Sequence, residues 1–177
     1  MGCDIHFSVF VYSKSVEQYI SINEIIGLTY LCDSYAIVGD RYYDLFGAFG
    51  NTVRSYYPIM TTLHEGVPSH LLPKTTTLSI QKDCDYHTYT WATLDELKVG
   101  VCQYIDKLDN PARFLLDDPE KFSENMFGFP EWKEPNTNLK KTFVKIQNTL
   151  NCIENDLRLY DDLIDPSKTI FLFYFDN

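Results

Sequence analysis

With 177 residues, 45% of them hydrophobic and 15% aromatic, the chain has the length and apolar content of one packed domain, far from the composition of disordered proteins. Its 25 acidic and 15 basic residues give a formal charge of −10, which repels a phosphate backbone and excludes broad nucleic-acid binding, while leaving room for a small phosphate-bearing ligand in a local pocket. Five cysteines without a CxxC pair argue against a disulfide framework or a four-cysteine zinc knuckle, and no stretch approaches the roughly 18 apolar residues of a membrane span.

The first residues, MGCDIHFSVFVY, lack the basic region of a signal peptide. Myristoylation at Gly2 would want Ser or Thr where His6 stands, so no lipid anchor is expected and a reducing cytoplasm is the expected location. Residues 4–12, rich in Ile, Phe, Val and Tyr, read as a strand, with a possible short second strand near Tyr19 to Ile22. Asp40 is the expected N-cap of a helix through Tyr42, Leu45, Phe46 and Phe49, which Gly50 is expected to end in a left-handed conformation. Residues 55–74, with three prolines, read as loop, and 75–80 as a short strand.

Thr93-Leu94-Asp95-Glu96 fits a capping box that opens a helix running to about Lys107. Residues 109–136 read as an ordered but irregular aromatic excursion. Leu139, Phe143, Ile146, Leu150, Ile153 and Leu157 then recur at alternating spacings of four and three. They predict an amphipathic helix of about 26 residues if it runs to Ile164, stopped by Asp165-Pro166. Residues 169–175, TIFLFYF, have the unbroken apolar pattern of a strand buried on both faces and placed centrally. The expected fold is α+β: one domain, with a single mixed sheet packed against the long C-terminal helix and shorter helices.

Several of these segments look familiar. The opening MGCDIH, the set Asp40-Arg41-x-Tyr43-x-Leu45-Phe46 with Val53-Arg54, the run from His87 through Thr88, Tyr89, Thr90 and Trp91 to Leu94, and the ending Phe175-Asp176-Asn177 occur in one order. Together they resemble a family of small proteins encoded by tailed bacteriophages and prophages. The resemblance spans both termini and the middle and leaves residues 13–38 and 109–136 unmatched. It implies a viral origin, the cytoplasm of an infected host cell and one shared fold; the family itself has no settled activity. Its central motif reads closer to His-Ser-His-Ser-Trp, so a second histidine is missing here.

Asp4-x-His6 opens the first strand, and residues two apart on a strand share a face. Asp85-x-His87 repeats the spacing. Asp4, His6, Asp85 and His87 make a ligand set suited to one divalent Zn, Mn or Fe ion, with Asp4, His6 and His87 as the candidate catalytic residues. Some phosphoesterases open with a D-x-H-x-H strand, but Ser8 stands where the second histidine would be. The competing reading makes His6 and His87 structural hydrogen-bonding residues. Asp40, Arg41, Asp44 and Arg54 form a second polar set, open to an anionic ligand through the arginine forks or to an internal ion-pair network. Asp176 would join Asp4 and His6 if the first and last strands pair antiparallel. Cys3 reads as a buried small hydrophobe, and His64 and His70 as surface residues.

Two functions of different class follow. One is a phage-type accessory protein with a polar site, either a metal-dependent phosphoesterase or a binder of a nucleotide-like ligand. The other is a non-catalytic inhibitor of a host defence protein. Its acidic charge would imitate nucleic acid, and its docking surface would be the aromatic segment 122–132, with Phe127, Phe129 and Trp132 as anchors.

Overall fold

The computed structural model describes residues 5–25, 28, 43–50, 59–71, 86–110, 113 and 137–176, and for Tyr43, Asp44, Tyr86, His87, Thr137 and Asp176 the main chain alone. The expected strand at 75–80 and most of the 109–136 excursion lie outside these residues.

The apolar run near the C-terminus forms the strand Ile164–Asp176, and the N-terminal run forms the strand Ile5–Ser13. In chain order the described strands are β1 (Ile5–Ser13), β2 (Gln18–Ser21), β3 (His64–Glu65), β4 (Tyr86–Thr93) and β5 (Ile164–Asp176). They make one sheet in the order β2-β1-β5-β4-β3. The centre is therefore β5, as its two-sided apolar pattern predicts. Every pairing between described strands is antiparallel, so the α+β class holds but the mixture of strand directions does not. β1 and β2 are joined by a tight turn at residues 14–17, and the long connections return each later strand antiparallel to its neighbour.

Alternation along β5 splits the molecule into two layers. Phe171, Phe173 and Phe175 point into one core with Ile5, Phe7, Val9 and Val11 of β1. Ile170 and Leu172 point the other way, into a smaller cluster with Phe10. The larger core is closed by helices α1 (Tyr43–Gly50), α2 (Leu94–Asp109) and α3 (Thr137–Arg158). All six residues of the predicted α3 stripe are buried, and each such side chain contributes about 1.5–3 kcal/mol. Phe143 of α3 stacks between Phe49 of α1 and Tyr104 of α2, at 6.2 and 4.6 Å between ring centres, and so ties the three helices together.

Helix α3 ends six residues before the expected Ile164, in a turn where Leu163 and Ile164 both donate main-chain bonds to the Tyr160 carbonyl. Asp165-Pro166 belongs to β5 instead. Residues 166–169 stand opposite Val11 alone, and a bulge of this kind lets a sheet hold proline, which has no N–H for the ladder. Gly50 is the last residue of α1 and is not left-handed. Its lack of a side chain serves close approach, because a Cβ there would overlap the Phe175 ring. The capping box of α2 is present as predicted: Glu96 donates its N–H to the Thr93 hydroxyl, and the Thr93 N–H reaches Glu96 Oε2 at 2.9 Å.

Candidate functional site: the β1–β5–β4 end of the sheet

The sequence motifs meet at one rung of the sheet. Phe175 stands between Ile5 of β1 and His87 of β4, and the next pair out is Tyr86 with Asp176. His6 lies one rung inward, opposite Tyr174. Adjacent strands are about 4.8 Å apart, so the main chains of His6 and His87 stand about 10 Å apart across β5. Helix α1, which carries Asp44, docks on the same rung through the edge of Phe46, 6.3 Å from the Phe175 ring centre, and through Gly50. The antiparallel pairing needed to bring Asp176 beside the start of β1 is thus present. Asp4, Asp85, Asp40, Arg41 and Arg54 lie outside the described residues, as do Phe127, Phe129 and Trp132.

Among the side chains described here, His6 is half-buried and stacks on Tyr174, with 5.5 Å between ring centres and 15° between planes. Tyr174 leans in turn towards Tyr89, at 6.1 Å, and its hydroxyl lies 3.4 Å from Ser8 Oγ. Ser8 therefore supplies a hydroxyl where a D-x-H-x-H strand would supply imidazole. These four side chains form a shelf of stacked rings with hydroxyls at its edge, on the sheet face opposite the helices. Tyr174 is the one ring in TIFLFYF with a polar tip, and pairing it with His6 requires the register as well as the pattern. Sequence reasoning therefore missed Tyr174, Tyr89 and the use of Ser8.

A strained residue borders the shelf. Thr88 and Tyr89 together face Tyr174, a one-residue bulge in β4, and Thr88 takes φ of +53°. That left-handed position in a bulge usually goes to glycine, and for a β-branched residue it costs about 1–3 kcal/mol. Such strain persists where surrounding contacts hold it, and functional sites are its usual location.

Among the described residues, no group of three or more His, Cys, Asp and Glu side chains is placed to hold a metal ion. The expected four-ligand set depends on Asp4 and Asp85, outside those residues, and on the His87 ring. No helix among the described residues is long and apolar enough to cross a membrane.

A second concavity lies at the other end of β5, about 30 Å along the strand. Its volume is about 240 Å³, and Asp95, Glu154, Arg158, Asp161, Asp165 and Ser167 line it. Two of its four carboxylates are paired with cations. Glu154 pairs with Lys98 and with Arg158, the latter at 2.7 Å, and Asp165 pairs with Lys168 at 3.3 Å. Hydrogen bonds from Lys98 and Arg158 hold the Glu154 carboxyl below its ordinary value, and the Ser167 hydroxyl does the same for Asp165. This acidic cleft ties the ends of α2, α3 and β5 together.

His64 and His70 are exposed, as expected, yet both are engaged: each packs on Trp91, and His70 also on Tyr19. His64 belongs to β3, which the proline-rich sequence disguised as loop. In comparisons with known proteins, no family model, curated protein or solved structure matches the chain.

Proposed function

We propose that the chain is a small accessory protein of the bacteriophage type that binds a nucleotide-like phosphate compound at the β1–β5–β4 end of its sheet. The observation that carries this reading is the shared Phe175 rung. It draws the first strand, the last strand and the central motif, which are remote in sequence, to one place, with α1 docked on it. A fold built for stability alone has no need to gather its histidine and aspartate motifs at one sheet end.

In this reading the ring shelf of His6, Tyr174 and Tyr89 takes the planar part of the ligand by stacking. His6 shares the rung of Tyr174 and His87 that of Phe175, which face opposite sides of the sheet. Asp4, His6, Asp85 and His87 would therefore hold one divalent ion, Zn, Mn or Fe, beyond the end of β5, and Arg41 and Arg54 would receive the phosphate with Asp40, Asp44 and Asp176 around it. A zinc-bound water would ionise near pH 7, at a pKa of about 7, and phosphoester hydrolysis is the reaction such a set would support. The alternative, an acidic inhibitor of a host defence protein, would be favoured by unneutralised carboxylates along one face. Two of the four carboxylates that line the second concavity, Glu154 and Asp165, are instead paired with Lys98, Arg158 and Lys168.

Elemental analysis of the purified, untagged protein tests the proposal. The expected result is about one equivalent of zinc, manganese or iron, lost in His6→Ala and in His87→Ala while both variants keep the wild-type circular dichroism. Equal metal content in wild type and both variants, or none in any, would remove the metal from the proposal and direct attention to a protein partner.

A further inference from the structure

Residues 59–71 cross the sheet from one layer to the other. At its start the segment belongs to the helix layer: Met60 is buried in the main core and donates its N–H to the Ala48 carbonyl of α1. Thr62 lies directly against Gly100 of α2, where any side chain would collide with it. The chain then turns round the edge of the sheet as β3, with His64 opposite Trp91 and Glu65 opposite Thr90. Beyond Gly66, which takes φ of +80° and donates to the Tyr89 carbonyl at 2.7 Å, the segment enters the other face. There Val67 and Leu71 pack on Phe10, Ile170 and Leu172. His70 reaches Tyr19 of β2, at the far side of the sheet, with ring centres 5.0 Å apart. The segment is a strap across the face that the helices leave uncovered.

Little main-chain bonding fastens this strap. β3 is two residues long, and such a short edge pairing is marginal by itself. The fastening at the edge is His64. Its ring stacks on Trp91 at 4.3 Å and 25°, and its Nε2 donates to Glu96 Oε1 at 3.0 Å. Glu96 is fixed from the other side by the Thr93 capping box, so the acceptor does not follow the strap if the strap moves. One imidazole thus joins the strap to the start of α2 and to the indole of β4.

We propose that His64 is a protonation-sensitive clasp that closes the 59–71 strap over the Phe10–Ile170–Leu172 face. Histidine is the side chain whose ordinary titration falls between pH 5 and 8. Uptake of a proton turns the neutral hydrogen bond to Glu96 into an ion pair and adds a cation over the Trp91 face, so both contacts strengthen in the same direction. The charged and titratable groups around His64 among the described residues are Glu96 on α2, Glu65 beside it in β3 and, on the same indole from the strap's far end, His70. The clasp is therefore tightest in mildly acidic solution, where the imidazole is charged and Glu96 is still ionised. It loosens as the pH rises through the histidine range. The inference is independent of any ligand at the far end of the sheet.

Hydrogen exchange of the full chain reads the clasp directly. The reporter is the Gly66 amide, which is bonded to Tyr89 only while the strap is closed, with the buried β5 amides of Phe171 and Phe173 as controls. After correction for intrinsic exchange, protection at Gly66 is expected to be about two- to five-fold higher at pH 6 than at pH 8, the size of one exposed ion pair. The β5 amides should not share that change. His64→Gln keeps a donor but takes up no proton and should abolish the pH dependence, and Glu96→Gln keeps the helix cap but no charge and should reduce it to the part carried by Trp91. A pH-independent Gly66 in the wild type would overturn the proposal. So would a pH dependence that survives in His64→Gln or stays undiminished in Glu96→Gln, or one that the β5 amides follow equally.

Discussion

The two faces of the sheet are built on different terms. On the helix side, Phe143, Phe171, Phe173 and Phe175 are fully buried and held by other apolar side chains. On the strap side, Tyr89, Trp91, Tyr174 and His6 remain half-exposed, and rings stack on rings with hydroxyls and imidazoles between them. The first arrangement gains its stability from area removed from water. The second keeps polar tips in reach of solvent and so stays able to exchange partners. In the proposed reading, stability and recognition are thereby given to opposite faces of one central strand, with β5 alternating between them residue by residue.

That contrast gives an ordering of mutational effects. Phe143→Ala should be the most damaging change, costing about 3–5 kcal/mol, because it removes the ring stacked between α1 and α2 and leaves a cavity between three helices. Tyr174→Ala, at the matching depth of the strap side, should cost under about 2 kcal/mol, most of it the lost ring pairs with His6 and Tyr89. Urea denaturation of the two variants compares them, and equal losses would mean that the strap side is core like the other. Thr88→Gly should go the opposite way and raise stability by about 1 kcal/mol, since glycine takes the left-handed bulge position without the clash that a Cβ makes. If that variant also loses ligand affinity, the strained bulge positions Tyr89 for binding.

The smallest effect expected is on the acid limb of stability. Burial pulls the Glu96 carboxyl upward, but hydrogen bonds from the Thr93 main chain and from His64 outweigh it and hold the group below its ordinary value. Glu154 and Asp165 are lowered by their own hydrogen bonds. A carboxyl depressed in the folded state stabilises fully above its unfolded pKa, about 4 for these groups, and that contribution fades as the pH falls through the lower folded value. Thermal unfolding should therefore be flat above about pH 5 in these three groups and decline below about pH 4. Glu154→Gln should flatten the decline. Because all three are partly exposed, salt should weaken it as well.

How far the molecule could be read from its sequence follows the same division. The α3 stripe, the Thr93–Glu96 cap and the central position of β5 were legible, because periodicity and capping are local and the helix side obeys them. The end of α3 was not, since the bulge that admits Pro166 into β5 depends on Val11, a residue more than a hundred positions away. The position of Gly50 predicts a left-handed terminator, whereas its reason lies in the Phe175 ring above it. Of the candidate site, the motifs His6 and His87 and the end of β5 could be named but not joined. The joining is a matter of register across β5, and register is set by pairing partners that no local pattern contains. The ring shelf and the His64 contact to Glu96 were hidden for the same reason.

The central claim is that the β1–β5–β4 end of the sheet, and not the acidic cleft at the other end of β5, is where this protein meets its ligand. Titration of the chain with Mn²⁺, followed by paramagnetic broadening of the backbone amide signals, puts the two ends in direct competition. The account predicts that His6, Phe7, His87, Thr88, Tyr174 and Phe175 broaden first, at the lowest metal concentration, and that His6→Ala suppresses this. First broadening at Asp95, Glu154, Asp161 and Asp165, with the Phe175 rung untouched, would contradict it.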